Sequence, residues 1–276
     1  MKLVICSTKD PASMNIFEVL LTLENFDRKT FDNYTFHFSE SFGIAVLDEK
    51  LIYADQIDKR LSKYCKFDEI LFASRHSSKD GRKIFTTHVT GNLSNADFGG
   101  KPFSLAKPAP MTIKNYVLSL KEKIEGTGYE FSLEVTHHGP SEIKVPSAFF
   151  EIGSDESAWK DKLAAEVVAE SIFDAINSKK YDWNVAVSVG GTHYAPRQTE
   201  IILETNITFG HNFAKYHFDD LTSDFLAKAV EISDAEMIVY DEKSVTSKIR
   251  SLILEAADRS KIEVLKASEA KKKFKS

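Results

Sequence analysis

The sequence predicts an α/β fold: a mixed, largely parallel sheet with helices on both faces. Two patterns predict it. Short apolar runs of strand length alternate with longer segments of helical spacing along nearly the whole chain. Six of the eight histidines sit in polar, glycine-bearing islands, most of them just after such a run. Strand ends are where α/β folds keep their chemistry.

Residues 3–6 read as a buried first strand. Asp10-Pro11 offers an N-cap and a proline at the first helical position, opening a helix to about residue 23. Met14, Phe17, Leu20 and Leu21 share one face of it. Residues 34–38 and 43–47 read as strands, as do 69–73 and 84–87, each of these last two leading into a histidine. Residues 111–124 are predicted helical, then 129–135 and 148–152 as strands. The longest helix is expected over about 155–177, its first turn acidic as the helix dipole favours. A strand at 185–189 empties into Gly190-Gly191, and Pro196 starts a helix. Residues 207–209, 237–240 and 262–265 complete the strands, with helices at 220–232 and 245–257. The one long irregular stretch, 90–110, holds three prolines and three glycines and reads as a lid or substrate loop. One domain over 1–276 accounts for the pattern, with a smaller C-terminal lobe from about residue 220.

Hydrophobic content of 42% and charged content of 28% are those of an ordinary globular chain, and no apolar run approaches the roughly 20 residues a membrane helix needs. The first strand begins at once, so no signal peptide is expected. Cys6 and Cys65 stand alone, which excludes a disulfide framework and a cysteine zinc finger and points to a reducing, cytoplasmic setting. Net charge of −5 argues against wrapping long nucleic acid but not against gripping the end of one. The basic tail Lys271-Lys-Lys-Phe-Lys275 reads as a solvated, disordered end.

Histidine changes charge near neutral pH, at about 6.5, so a cluster of it suggests proton transfer, metal ligation or both. His76 and His88 come from consecutive strand ends and could converge. His137 and His138 are neighbours, and along a strand only one would face the site unless the strand has ended or bulged. Gly190, Gly191 and the helix at Pro196 suggest backbone donors for a phosphate or oxyanion, with His193 and Tyr194 beside them and Arg197 able to fork onto an anion. Arg75 is a candidate for a phosphate. His37 and His217 fall outside the islands and read as structural. Gly-x-Ser-x-Gly is absent and no nucleophile signature stands out.

Taken in order, Phe72-Ala-Ser-Arg-His-Ser-Ser78, Thr86-Thr-His-Val-Thr-Gly-Asn92, Thr136-His-His-Gly-Pro140, Phe149-Phe-Glu-Ile-Gly-Ser154, Gly190-Gly-Thr-His-Tyr-Ala-Pro-Arg-Gln-Thr-Glu200 and Phe209-Gly-His211 resemble the archaeal and plant-type D-aminoacyl-tRNA deacylases. Ser13-Met14-Asn15-Ile16 and Phe98-Gly99-Gly100-Lys101 fit too, and the resemblance covers roughly residues 1–220. It implies a phosphorylase- or peptidyl-tRNA-hydrolase-like fold, zinc as cofactor, and the aminoacylated acceptor end of tRNA as partner of a monomer. The reaction implied is hydrolysis of the ester between a D-amino acid and tRNA. His193, His138 and His76 are then the catalytic candidates. Arg75, Gly190, Gly191, Tyr194, Arg197 and Lys101 are candidates for substrate binding, and His88, His137 and His211 for zinc. Glu134, Glu142, Glu151 or Asp97 could complete a ligand set. One departure is Asp241-Glu-Lys-Ser244, where the family tends to end in glycine, which puts a close ligand approach there in doubt. Two rivals remain: a peptidyl-tRNA hydrolase or nucleoside phosphorylase on a related fold, and a non-catalytic RNA- or nucleotide-binding protein.

Overall fold

Asp10 accepts from the Ser13 N–H and Pro11 takes the first helical position, so β1 (Lys2–Ser7) passes straight into α1 (Pro11–Leu23). The structure is a computed structural model and describes residues 1–179 and 182–275. An edge hairpin follows, β2 (Asp27–Phe31) and β3 (Tyr34–Phe38), then β4 (Phe42–Leu47), α2 (Ile57–Leu61), β5 (Glu69–Arg75) and β6 (Ile84–His88). Next come the two-residue strands β7 (Gly91–Asn92) and β8 (Ser104–Leu105), then α3 (Pro110–Lys123), β9 (Glu130–Leu133) and β10 (Ser147–Gly153). Two helices follow, α4 (Glu156–Trp159) and α5 (Lys162–Asn177). The chain closes with β11 (Asn184–Val189), α6 (Pro196–Glu204), β12 (Ile207–Phe213), α7 (Ser223–Ile232), β13 (Met237–Tyr240), α8 (Ser247–Ser260), β14 (Glu263–Lys266) and α9 (Ala267–Lys273).

The fold class is the expected one, but the strands divide into two main sheets. The larger has the order β2-β3-β4-β1-β5-β10-β6-β9. It is parallel from β4 to β10, and β6 runs antiparallel to β10. The smaller, β12-β11-β13-β14, is parallel throughout and begins at Asn184, well before residue 220. The larger sheet packs α1, α3 and α5 on one face. Its other face meets α2 and the turn at Leu51. The smaller sheet lies between α7 and α8 on one side and α3, α6 and α9 on the other.

Three expectations are corrected. The predicted helix over 155–177 is two helices, because Asp155 and Asp161 each cap a start; Asp161 accepts from the N–H groups of Leu163 and Ala164. The basic tail is not a loose end: Lys271 pairs with Glu204 at 2.9 Å and Lys273 with Glu263 at 2.6 Å, which docks α9. β2 was not expected at all. Its five residues are all exposed and mostly polar, so it carries no apolar period.

Asp161 also accepts from the Tyr129 hydroxyl at 3.1 Å. Asp161→Ala should lower the unfolding free energy by about 1–2 kcal/mol, read as a shifted urea midpoint with an unchanged slope; no shift would show that the cap contributes nothing.

Candidate active site

β10 lies between β5 and β6, so one residue of it reaches side chains from both neighbours. That residue is Glu151, in register with Ser74 and Thr86, and the Thr86 hydroxyl donates to it at 3.1 Å. His76 directly follows β5, its N–H donating to the Ile152 carbonyl. Gly153 leaves room for the His76 ring: a Cβ there would stand 2.6 Å from the imidazole. His88 ends β6 and stacks on Phe149, ring centroids 5.3 Å apart.

The segment after β9 carries the rest. The Glu134 N–H donates to Thr87 of the larger sheet, the Val135 N–H to the His193 carbonyl, and the Thr136 N–H to Asn212 of the smaller sheet. The strand has ended by His137, and His138 has a positive φ of 44°. Both histidines therefore enter the site, through the ended strand that the sequence left open as the exception. Ring centroids are 4.2 Å apart for His88–His137, 4.8 Å for His88–His138 and 4.4 Å for His137–His138.

Each of these three rings donates its Nδ1–H to a backbone carbonyl: His88 to Val89 at 3.2 Å, His137 to Val135 at 2.8 Å, His138 to Gly139 at 2.6 Å. A carbonyl only accepts, so in its neutral form each ring keeps its lone pair on Nε2. Their ligand nitrogens lie within 4.8 Å of one another. Beside them the Glu134 carboxylate accepts from His193 Nε2 at 2.8 Å and lies 3.3 Å from His76 Nδ1. Glu151 lies 3.5 Å from His88 Nε2 and 3.7 Å from His76 Nδ1. The far nitrogen of His76 meets the Tyr194 hydroxyl at 3.0 Å, and that hydroxyl donates to Asp80.

Burial opposes charge on His76, yet hydrogen bonds to Glu134 and Glu151 outweigh it and lift its pKa to about 11. His88 is raised against the same burial by Glu151. Burial and the charge of His88 push His137 well down and His138 to about 4. Burial would raise the two carboxylates, but their imidazole partners hold Glu134 well below the usual range and Glu151 at about 2.

The cluster opens onto a cleft of about 410 Å³. His76, His137, His138, His193 and Glu151 line it, with Lys9, Lys50 and Arg75 supplying positive charge and Leu51, Ile52 and Phe98 apolar surface. Arg75 lies over the Trp159 ring at 4.7 Å.

Other expected site residues lie elsewhere. His211 is fully buried with both nitrogens engaged, Nδ1 by the Thr136 hydroxyl and Nε2 by the Ala106 carbonyl, each at 3.0 Å, so it offers no ligand. The backbone donors expected at the glycine pair are spent: the Gly190 N–H donates to Phe213 at 2.7 Å and the Gly191 N–H to the Ser244 hydroxyl at 2.8 Å. Ser244 thus fills the place of the missing glycine and closes that turn. Arg197 pairs with Glu200 of its own helix at 3.0 Å. Lys101 pairs with Glu142 at 2.8 Å, and Asp97 is exposed. His37 packs edge-on against Phe17. His217 lies nearer the site, its ring against Tyr216, whose hydroxyl meets His193 Nδ1 at 3.1 Å. Sequence reasoning missed Asp10, Asp80 and Tyr216. For Glu134 and Glu151 the signal was a lone acid inside an apolar run.

In metal-free protein at pH 7, long-range proton–nitrogen spectra should show His138 neutral with its proton on Nδ1, since its pKa of about 4 lies below the sample. His76 should appear as imidazolium, since it holds its proton up to about pH 11. A His138 proton on Nε2 would mean that the ring faces away from the cluster.

The family model for D-aminoacyl-tRNA deacylases matches residues 63–265. A D-aminoacyl-tRNA deacylase of Archaeoglobus fulgidus is 61% identical over 275 residues, 99% of each chain. One of Pyrococcus furiosus is 38% identical over 274 residues, 96% of this chain and 100% of that one. A crystal structure described as a conserved protein of unknown function superposes with a TM-score of 0.99 at 60% identity, covering 100% of this chain and 98% of that one.

Proposed function

The chain belongs to the D-aminoacyl-tRNA deacylase family, and we propose that its histidine–glutamate cluster is where the substrate ester is hydrolysed. The enzyme is a hydrolase that cleaves the ester between a D-amino acid and tRNA and frees both. That sets aside the phosphorylase, peptidyl-tRNA hydrolase and non-catalytic readings. The observation that carries the site is the contact of His193 Nε2 with Glu134 at 2.8 Å, beside three histidines whose ligand nitrogens lie within 4.8 Å of one another.

The donors fit a divalent cation. His88 Nε2 and Glu134 Oε2 are buried, face each other at 3.9 Å, and have no hydrogen-bond partner. A lone pair facing a carboxylate is repulsive until a proton or cation lies between them. Histidines that donate Nδ1–H to a carbonyl are oriented as metal ligands are. Imidazole without thiolate suits zinc, and three protein ligands with an open position is the catalytic pattern. His88, His137 and His138 would hold it, with Glu134 at hand, so His138 takes the ligand place expected of His211. Zinc bound there would polarise an ester carbonyl and bring the pKa of a water to about 7.

The protein groups do the rest. Glu134 accepts Nε2–H of His193 and leaves Nδ1 as the basic nitrogen; the Tyr216 hydroxyl donates to it, and an attacking water would take that hydroxyl's place. His76, pinned between Glu134, Glu151 and Tyr194, holds positive charge where the ester oxygen becomes negative. Lys50 and Arg75 are placed for phosphates of the acceptor end. We take the enzyme to be a monomer, and no helix among the described residues is long and apolar enough to cross a membrane. Charged tRNA places the work in the cytoplasm.

Hydrolysis of D-Tyr-tRNA and L-Tyr-tRNA, each with and without chelator, tests this reading. The D ester should be cleaved far faster, chelation should stop it, and zinc should restore it. Full activity in protein shown metal-free by elemental analysis would remove the cation from the chemistry. Separately, His193→Ala should cut the chemical step by about 10²- to 10⁴-fold with unchanged melting, while His37→Ala should be near neutral. Near-native turnover by His193→Ala would sink its role as base.

A further inference from the structure

Phe98 is 64% exposed, the highest value among the described large apolar side chains, yet its backbone is held tightly. Its carbonyl accepts from the Gly139 N–H at 3.0 Å, one residue from His138. The next residues pack backbone against backbone. A Cβ on Gly99 would stand 1.9 Å from the Ile52 carbonyl oxygen, and one on Gly139 would stand 2.3 Å from the Gly100 nitrogen. The loop is therefore tied to the histidine cluster itself, and the exposed Phe98 lines the same cleft.

An open ring on a fixed backbone serves two kinds of ligand differently. An amino-acid side chain gains from a pocket closed on several sides. A planar base needs only a face, and unpaired bases stack on exposed aromatic rings whatever their sequence. The ester cleaved here is always carried by the terminal adenosine of an unpaired acceptor end, so a purine lies close to the cluster in every substrate. Arg75 lines the same cleft, and among the described residues its guanidinium has no ion-pair partner.

We propose that Phe98 is the platform on which the terminal adenine of the acceptor end stacks, while Arg75 takes a phosphate of that end. The inference rests on the reading of the cluster as the hydrolytic centre. It makes Phe98 a positioning residue that fixes the sugar carrying the ester, and it accounts for an exposed phenylalanine on a loop this rigid.

The test compares wild type, Phe98→Leu and Phe98→Trp on D-Tyr-tRNA and D-Ala-tRNA, with adenosine monophosphate as competitor. Phe98→Leu should raise KM by about 5- to 100-fold, by the same factor on both substrates, and weaken inhibition by the nucleotide to match. Phe98→Trp, which keeps an aromatic face, should bring both back near wild type. A KM change that grows with the size of the amino acid, with nucleotide inhibition untouched, would assign Phe98 to the amino-acid pocket and overturn the proposal. An unchanged KM would overturn it too. Nucleotide binding, read by calorimetry on metal-free protein, needs no hydrolysis, so a failure of His193 as base would leave this arm intact.

Discussion

The site depends on one short piece of backbone. Residues 134–136 donate to Thr87 of the larger sheet, to the His193 carbonyl and to Asn212 of the smaller sheet, and the His138 carbonyl accepts from Gly91. Three cluster side chains, Glu134, His137 and His138, hang from this strip, and it fixes His193 by main chain as well. A buried backbone group must find a partner, so the strip cannot slide against either sheet without losing bonds that folding requires. His211 belongs to the same device. It engages the Thr136 hydroxyl, which in turn accepts from the Asn212 N–H. Its part is to hold the strip, which is why it lies beside the cluster without joining it.

Given that frame, burial sorts the histidines into two kinds. Removing a carboxylate from water costs several kcal/mol unless charge and hydrogen bonds offset it. Glu134 and Glu151 are both buried; His193 and His76 offset Glu134, and His76 and His88 offset Glu151. His137 and His138 feel the opposite field, since burial and the neighbouring His88 keep them neutral. A neutral imidazole with its Nδ1–H already given to a carbonyl can act only as a lone-pair donor through Nε2. The same cluster thus offers lone pairs at His137 and His138 and a held positive charge at His76, while His88 would give up its proton to serve as a ligand. Residue type alone does not separate these roles; distance to Glu134 and Glu151 does.

The sequence shows the sheet strands and the histidine islands because both are local. Apolar runs mark 34–38 and 237–240 to the residue. Asp10-Pro11 marks a helix start that the structure repeats. The division into two sheets is not local, since it depends on which strand pairs with which, and each run reads alike in either sheet. The same limit applies to His211: strand, glycine and histidine read there as they do at a site, and only the tertiary partners Thr136 and Ala106 tell them apart. The glycine pair misled for a related reason. A turn that exposes N–H groups suggests an anion, but here Phe213 and Ser244 take those groups, and Ser244 lies more than fifty residues further along the chain.

A net charge of −5 looks unsuited to a polyanionic substrate, and the cleft resolves this. Counterion release rewards each phosphate neutralised, so a broad basic surface would bind every tRNA tightly along its length. Such binding is uniform: it holds the ground state and transition state alike and does nothing to distinguish one amino acid from its mirror image. An enzyme that must release most charged tRNA intact gains from the opposite arrangement. On the proposed reading, Lys50 and Arg75 at the cleft give the acceptor end a local attraction that the net charge does not extend to the rest of the tRNA. If the cluster is the hydrolytic centre, as proposed, substrates are separated by the fit of the ester carbon against groups whose positions are set by backbone, where an inverted centre leaves polar groups unpaired. The small negative net charge and the backbone-fixed cluster would then serve the same end: weak general attraction, and selection at the one bond to be cut.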